Sequence, residues 1–221
     1  ILGVVLPELS PEALAAAKPV VDACPAGEQA LPVRLAALLL SLGEDGTRRT
    51  LRRLRCSNAC IEETAVLVRE ARGRDGSFSE DRPLGWDPVA EGNRAGDGMA
   101  RIVSEEKATV TPGFTIYARR LLGKYNLCTV QRLAALGTAM QPERAADFAA
   151  LSELAERLDA DGVCCRVSQL AVNGRDLMAA GVPAGPGIRK VLEALLDGVI
   201  REEYPNERQA LLAAVQQLAA S

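Results

Sequence analysis

Apolar residues recur at spacings of three and four along residues 11–23 and again along residues 28–42. This periodicity puts the apolar side chains on one face of a helix, where they can pack against a shared core. Pro25 and Gly27 lie between the two segments and interrupt the pattern. The pattern therefore predicts two amphipathic helices joined by a short turn.

Residues 43–46 predict a turn, and the stretch TRRTLRRLRC that follows predicts a short, strongly basic helix. In that helix Leu51 and Leu54 lie on one side and arginines cover the rest. Ser57 and Asn58 are residue types that commonly cap the N-terminus of a helix. We therefore expect a further helix from this point to about residue 71.

A long stretch rich in Gly, Asp and Pro spans residues 73–112 and has few regularly spaced apolar positions. Such a composition predicts a loop or linker. Helical periodicity resumes at residues 114–123, 128–135 and 143–158, with polar residues outside the apolar face. These segments predict surface helices of a second helical unit, joined by short loops.

The last third of the chain predicts two helices joined by a hairpin-like turn. The first helix is expected to end at Gly181, and residues 182–185 form the turn. Pro186 then suits the first position of the next helix, where a backbone N–H is not needed. A closing helix is expected over residues 206–219.

Ala and Leu crowd the periodic segments, whereas the 221-residue chain has only three Phe, three Tyr and one Trp. Ala and Leu favour helices, and strands are usually enriched in aromatic and β-branched residues. We therefore predict an all-α fold, with a helical body domain followed by a small helical tail domain.

The chain has a formal net charge of −3 and no histidine. The acidic balance excludes a surface that is basic all round, although RNA binding requires only a local positive patch. The absence of histidine excludes Ser-His and Cys-His catalysis and mixed Cys-His zinc sites. Six cysteines without paired CxxC spacing predict free thiols.

No apolar run approaches the roughly 20 residues that cross a bilayer, and no signal-type apolar core follows a charged start. We therefore expect no membrane partner and a cytoplasmic location. The first residue is Ile1, in an apolar segment that no helix start signal precedes. We expect the chain to be part of a longer protein.

The turn GVPAGPGIRK is the first candidate binding site. Gly185 and Gly187 let backbone amides approach a ligand at the positive end of a helix dipole. At Gly185 we expect either a positive φ or a close approach to phosphate that a side chain would block. Arg189 and Lys190, with Arg175 on the preceding helix, would add charge to the same phosphate. A plain connection between two helices is the alternative.

Five arginines within eight residues form the second candidate, the arginine cluster: Arg48, Arg49, Arg52, Arg53 and Arg55. At helical spacing, Arg48, Arg52 and Arg55 would share one face. Guanidinium groups at this density suit the phosphates of a nucleic acid. A solvated face paired with nearby glutamates, such as Glu62 and Glu63, is the alternative.

Two stretches resemble the CCA-adding tRNA nucleotidyltransferases and the related bacterial poly(A) polymerases. Residues 31–71 resemble the helical stretch of that family, residues 170–212 resemble its C-terminal tail, and residues 1–9 are similar to the segment leading out of its neck. The tail match is the most specific, because it has in the family's order and spacing Asn173-Gly174-Arg175-Asp176-Leu177, Gly181, Gly185-Pro186 and Pro205-Asn206-Glu207-Arg208.

The resemblance implies a head, neck, body and tail, in which the head catalyses nucleotidyl transfer and the body and tail hold tRNA. Residues 1–72 would form the end of the neck and the helical body, 73–112 a linker, 113–160 the rest of the body and 161–221 the tail. No stretch matches the head's Gly-Ser and Asp-x-Asp signature, so no catalytic or metal-binding residue is assigned. Mg²⁺ is expected only in the catalytic head domain, which is missing from this chain, and no cofactor is expected here.

The function that the resemblance implies is tRNA binding, as the RNA-binding region of a transferase that adds CCA to the 3′ end during tRNA processing. Two alternatives stay open. One is the same region of a poly(A) polymerase, and the other is a helical protein-interaction module whose arginines are only a solvated surface. No oligomeric state follows from the sequence.

Overall fold

The computed structural model describes residues 5–72 and 112–219, and this part of the chain is all-α, as predicted. No β-strand occurs within those two ranges. Short 3-10 segments lie at Glu28–Ala30, Leu40–Leu42, Pro142–Arg144 and Val167–Gln169. The helices are α1 (Pro11–Ala23), α2 (Leu31–Leu39), α3 (Gly43–Arg53), α4 (Asn58–Arg72), α5 (Pro112–Lys124), α6 (Leu127–Met140), α7 (Ala145–Ala160), α8 (Gly174–Ala179), α9 (Pro186–Ile200) and α10 (Arg208–Ala219).

The chain divides into two compact units. The first contains Ile1–Val110 and Leu127–Glu153, and the second contains Thr111–Asn126 and Leu154–Ser221. The sequence grouped residues 113–160 together, whereas the structure places α5 with the later helices. The linker predicted at residues 73–112 lies, up to residue 111, outside the described residues. The assignment of the two units to a neck, a body and a tail stays a prediction.

Helix α4 packs against α2, α3 and α6 in the first unit. A buried apolar cluster contributes to its core and contains Leu6, Leu9, Leu39, Leu51 and Ile61. Gly137 of α6 is also required for packing, because the Phe148 ring occupies the place where a Cβ would stand.

Helices α8, α9 and α10 surround the core of the second unit, and α5 packs against α9. The core residues are Val172, Leu177, Leu195, Leu211, Ala214 and Val215. Two glycines permit close contacts here: a Cβ on Gly198 would overlap the Tyr204 hydroxyl group, and a Cβ on Gly123 would overlap the Cys165 carbonyl oxygen. The first of these contacts lies at the C-terminal end of α9 and the second at the C-terminal end of α5.

The turn predicted at residues 43–46 is wrong, because α3 begins at Gly43. Glu44 and Asp45 occupy its first turn, where negative charge is favourable beside the positive end of the helix dipole. Gly46 lies inside this helix. A Cβ at this position would come only 2.8 Å from the Leu42 Cβ. In this segment glycine allows a close contact.

The other predicted helices are confirmed, with ends shifted by a few residues. Along residues 28–42 the regular helix covers only Leu31–Leu39, with a 3-10 segment on each side. The closing helix starts at Arg208. Pro186 is the first residue of α9, as predicted.

Within the described residues, four helices end with the same backbone arrangement. The residue after the last turn has a positive φ, and two backbone hydrogen bonds of 2.9–3.1 Å close the end. This residue is Gly162 after α7 and Gly181 after α8, but Arg55 after α3 (φ 58°) and Glu202 after α9 (φ 62°). A residue with a Cβ is less stable than glycine in this left-handed conformation.

Across residues 5–72 and 112–219, no helix has the length and apolar character needed to cross a membrane.

Candidate nucleic-acid interface

The arginine cluster contains arginines that hold the first unit together and arginines that face solvent. Arg48 forms an ion pair with Glu44 and donates a 2.7 Å hydrogen bond from Nη2 to Oε2 of Glu62. Arg53 donates two hydrogen bonds of 2.8 Å to the Glu8 carboxylate. The alternative of a face paired with glutamates is therefore correct for these two arginines.

The ion pairs also shift the pKa values of their members. Hydrogen bonding to Arg53 lowers the pKa of Glu8. Hydrogen bonding to Arg48 lowers the pKa of Glu62, with a smaller electrostatic contribution from Arg52. The same hydrogen bond is the main cause that raises the pKa of Arg48. These hydrogen bonds thus favour the charged forms of Glu8, Glu62 and Arg48.

Arg49, Arg52 and Arg55 are exposed, and their side chains make no hydrogen bond or ion pair with another described residue. The prediction that Arg55 shares a helical face with Arg48 and Arg52 is wrong, because α3 ends at Arg53 and Arg55 lies in the turn beyond it. Glu63, which the sequence offered as a partner, forms an ion pair with Arg132 of α6.

The residues at the start of α8 form a reciprocal cap. Asn173 Oδ1 accepts a 2.8 Å hydrogen bond from the Arg175 N–H, and Asp176 Oδ2 accepts a 2.9 Å bond from the Asn173 N–H. The other oxygen of Asp176 accepts a 2.7 Å bond from Arg208 of α10. Leu177 is completely buried in the core. These motif residues therefore have structural roles.

Asn206 attaches the segment before α8 to the start of α10. Its Oδ1 accepts a 2.9 Å hydrogen bond from the Ala171 N–H, and its Nδ2 donates a 2.9 Å bond to the Gln169 carbonyl oxygen. The side-chain oxygen of Gln169 accepts from the N–H groups of Cys165 and Arg166, both at 2.9 Å. The tail motif thus fixes the backbone of residues 165–171.

Arg175 is the motif residue between Asn173 and Leu177 whose side chain these contacts do not explain. It is exposed and makes no side-chain hydrogen bond or ion pair with any residue in the described ranges. Lys190 of α9 is exposed in the same way, again without a side-chain partner in the described part of the chain. Both cations are available to an anionic ligand.

Gly185 is the N-cap of α9 and has φ 140° and ψ −163°, a conformation that favours glycine. The expected positive φ is therefore present. A Cβ on Gly185 or Gly187 would meet no atom of the described residues within 4 Å, so those residues leave the space around the turn open. No side chain in the described part of the chain caps this end of α9.

Arg189 of α9 is exposed. It donates a 2.8 Å hydrogen bond to Glu193 and lines a groove in the second unit. The groove, here called the α5–α9 groove, has a volume of about 660 Å³ and is lined by Arg120, Gly123, Lys124, Cys165, Arg166, Val167, Ser168, Arg189, Glu193, Leu196, Asp197 and Ile200.

Sequence reasoning did not select Arg120, Lys124 or Arg166 as site residues. The first two lie near the C-terminal end of a predicted helix, and their short spacing was a usable signal. Arg166 carried no local signal, because its hydrogen-bond acceptors are the carbonyl oxygens of Leu122 and Tyr125.

Comparison with known proteins gives two matches. Residues 107–215 match the family model described as tRNA nucleotidyltransferase domain 2, putative. The chain is also 52% identical over 46 residues to the CCA-adding enzyme of Levilactobacillus brevis, a match that covers 21% of this chain. These two matches confirm the resemblance to the CCA-adding enzyme family.

The aligned stretch spans only 12% of the length of the Levilactobacillus brevis enzyme. No solved structure matches this chain at a significant level. In the described residues, no group of three or more His, Cys, Asp or Glu side chains is placed to hold a metal ion.

Proposed function

We propose that this chain holds tRNA for nucleotidyl transfer by binding the sugar-phosphate backbone. The observation that carries the proposal is Arg175. Its motif neighbours cap a helix or fill the core, whereas its own guanidinium group is exposed and unused by the fold within the described residues. Because duplex RNA exposes few readable base edges, binding through shape and phosphate contacts suits this ligand.

Lys190 and the open turn at Gly185 and Gly187 complete the proposed hairpin site. The first amides of α9 carry the positive end of its dipole, and no described side chain caps them. In the first unit, Arg49, Arg52 and Arg55 supply a separate set of exposed charges. Arg48 and Arg53 are removed from the proposed contact set, since carboxylates already bind them.

The catalytic step would belong to a head domain. In the complete enzyme, that domain would hold Mg²⁺ and add CCA from CTP and ATP. We assign the residues described here the positioning of the RNA, and the chemistry to that head domain.

Filter binding of a tRNA transcript tests the proposal. Arg175→Ala and Lys190→Ala should each weaken binding about threefold to tenfold, the scale of one charge-assisted contact. Each should also reduce the log-log salt slope by about 1, because one phosphate contact is lost. Arg157→Ala is the matched control, since Arg157 is an exposed arginine of α7 whose side chain has no partner in the described residues.

Two results would contradict the proposal. Absence of saturable tRNA binding by the unsubstituted chain at about 50 mM salt would favour the protein-interaction module. An equal loss in Arg157→Ala and Arg175→Ala would show that total charge, and no defined hairpin site, determines binding.

A further inference from the structure

We infer that the α5–α9 groove is a second contact for the RNA backbone, separate from the hairpin turn and occupied by a phosphodiester segment of the same tRNA. The inference rests on the proposed function. Charged side chains line the groove. Among the described residues that line it, the cationic side chains outnumber the carboxylates: Arg120, Lys124, Arg166 and Arg189 against Glu193 and Asp197.

Both carboxylates are already neutralised by arginines. Asp197 accepts a 2.8 Å hydrogen bond from Arg120 and forms a 2.9 Å ion pair with Arg201. Glu193 forms a 2.8 Å ion pair with Arg189. A phosphate entering the groove therefore does not face an uncompensated carboxylate on α9.

Arg166 brings positive charge to the groove wall without a carboxylate partner in the described residues. Its Nη2 donates hydrogen bonds of 3.2 Å to the Leu122 carbonyl oxygen and 3.1 Å to the Tyr125 carbonyl oxygen. These carbonyl groups form the negative end of the α5 dipole, which would otherwise repel an anion. The contact neutralises this end while the guanidinium group keeps its full charge.

The shape of the groove favours a polymer backbone over an enclosed small molecule. Its volume of about 660 Å³ is large enough for a nucleotide, and it is open rather than closed over. Val167 and Leu196 give it apolar surface on which a ribose can pack. Phosphates would contact the cationic rim while sugars lie against this surface.

One wall of the groove is rigid because Gly123 lies against the Cys165 carbonyl oxygen, where no side chain fits. Gln169 holds the same segment through the N–H groups of Cys165 and Arg166, at 2.9 Å each. The site is thus formed before RNA arrives, which reduces the entropy lost on binding.

The test measures tRNA affinity for two groove variants of the full chain at one fixed salt concentration. Ser168→Trp fills the groove from an exposed position and leaves every charge in place, and Lys124→Glu reverses one charge at the rim. Each should weaken binding about tenfold, and a double variant with Arg175→Ala measures whether the groove and the hairpin turn contribute independently. Arg157→Glu is the control for charge reversal outside the groove, and circular dichroism and urea unfolding verify the fold of each variant.

The outcomes separate this inference from the proposed function. If Ser168→Trp retains its fold and binds tRNA like the unsubstituted chain while Arg175→Ala binds weakly, the groove inference is overturned and the hairpin site stands. If Lys124→Glu weakens binding no more than Arg157→Glu, the effect is one of total charge and the groove is again excluded. If the unsubstituted chain does not bind tRNA, the proposed function fails and the groove inference falls with it.

Discussion

Arg208 Nη2 lies 2.7 Å from Asp176 Oδ1, so the first residue of α10 is bound to the first turn of α8. The Asp176 side chain is 16% exposed and that of Arg208 is 64% exposed. Asp176 also accepts the Asn173 N–H, whereas Arg208 contributes this single bond. The carboxylate is therefore the more important member of the pair for stability.

We expect Asp176→Ala to lower the free energy of unfolding by about 1–2 kcal/mol, because it removes a helix cap and an ion pair together. Arg208→Ala should lower it by less than about 1 kcal/mol, as expected for an exposed ion pair. Urea denaturation of both variants measures the difference. Equal losses would show that the reciprocal cap at Asn173 adds nothing.

Arg55→Gly should stabilise the first unit by about 0.5–1 kcal/mol, since Arg55 has a φ of 58° that glycine adopts more easily. Arg49→Gly removes the same charge but places glycine inside α3, and it should destabilise by about 1 kcal/mol. Thermal unfolding of the two variants separates backbone conformation from charge. Destabilisation by Arg55→Gly would contradict this explanation of the end of α3.

Thr47 and Thr50 of α3 are buried, and their hydroxyl oxygens have no hydrogen-bond partner in the described structure. Thr47→Val should raise the free energy of unfolding by about 1 kcal/mol, because it removes an unsatisfied buried polar group and keeps the shape of the side chain. In the control Thr138→Val, the lost hydroxyl donates a 3.1 Å bond to the Ala134 carbonyl oxygen. That variant should show no gain. A gain of the same size in Thr138→Val would refute the explanation.

Stability should depend on pH through Glu8 and Glu62, whose pKa values are lowered from 4.5 by Arg53 and Arg48. A lowered folded-state pKa stabilises the fold above the unfolded-state pKa, and this contribution is lost as pH falls through the folded-state value. We therefore expect the urea midpoint to decrease as pH falls below about 4.5. Glu62→Gln should reduce that decrease.

Glu28→Gln is the control for this pH dependence, since Glu28 is exposed and has no ion pair among the described residues. It should retain the decrease seen for the unsubstituted chain. An identical pH profile for Glu62→Gln and Glu28→Gln would exclude the Arg48 ion pair as the cause.

The helices followed from the sequence where local signals agreed. The bounds predicted for α1 are those observed, because Ser10 accepts a 3.2 Å hydrogen bond from the Ala13 N–H and Pro11 occupies the first helical position. Pro186 marked the start of α9 for the same reason. Such signals lie within a few residues of the element that they define.

The roles of residues that contact side chains outside their own local motif could not be predicted in this way. Gly46 suggested a turn, yet its role is set by contact with the Leu42 side chain. Arg53 resembled a phosphate-binding arginine, yet it binds Glu8, 45 positions earlier in the chain. Periodicity reports which face of a helix is apolar and contains no information on which carboxylate will reach that face.

The division of the chain into Ile1–Val110 with Leu127–Glu153 and Thr111–Asn126 with Leu154–Ser221 means that neither unit is a continuous piece of polypeptide. Because a chain emerges from the ribosome N-terminus first, α5 is synthesised before any other helix of its own unit. The first unit is likewise incomplete until Glu153 has been added. A proteolytic or recombinant fragment made by one cut between α5 and α7 would therefore separate a helix from its own unit. Fragments that preserve both units must retain the whole span from α1 to α10.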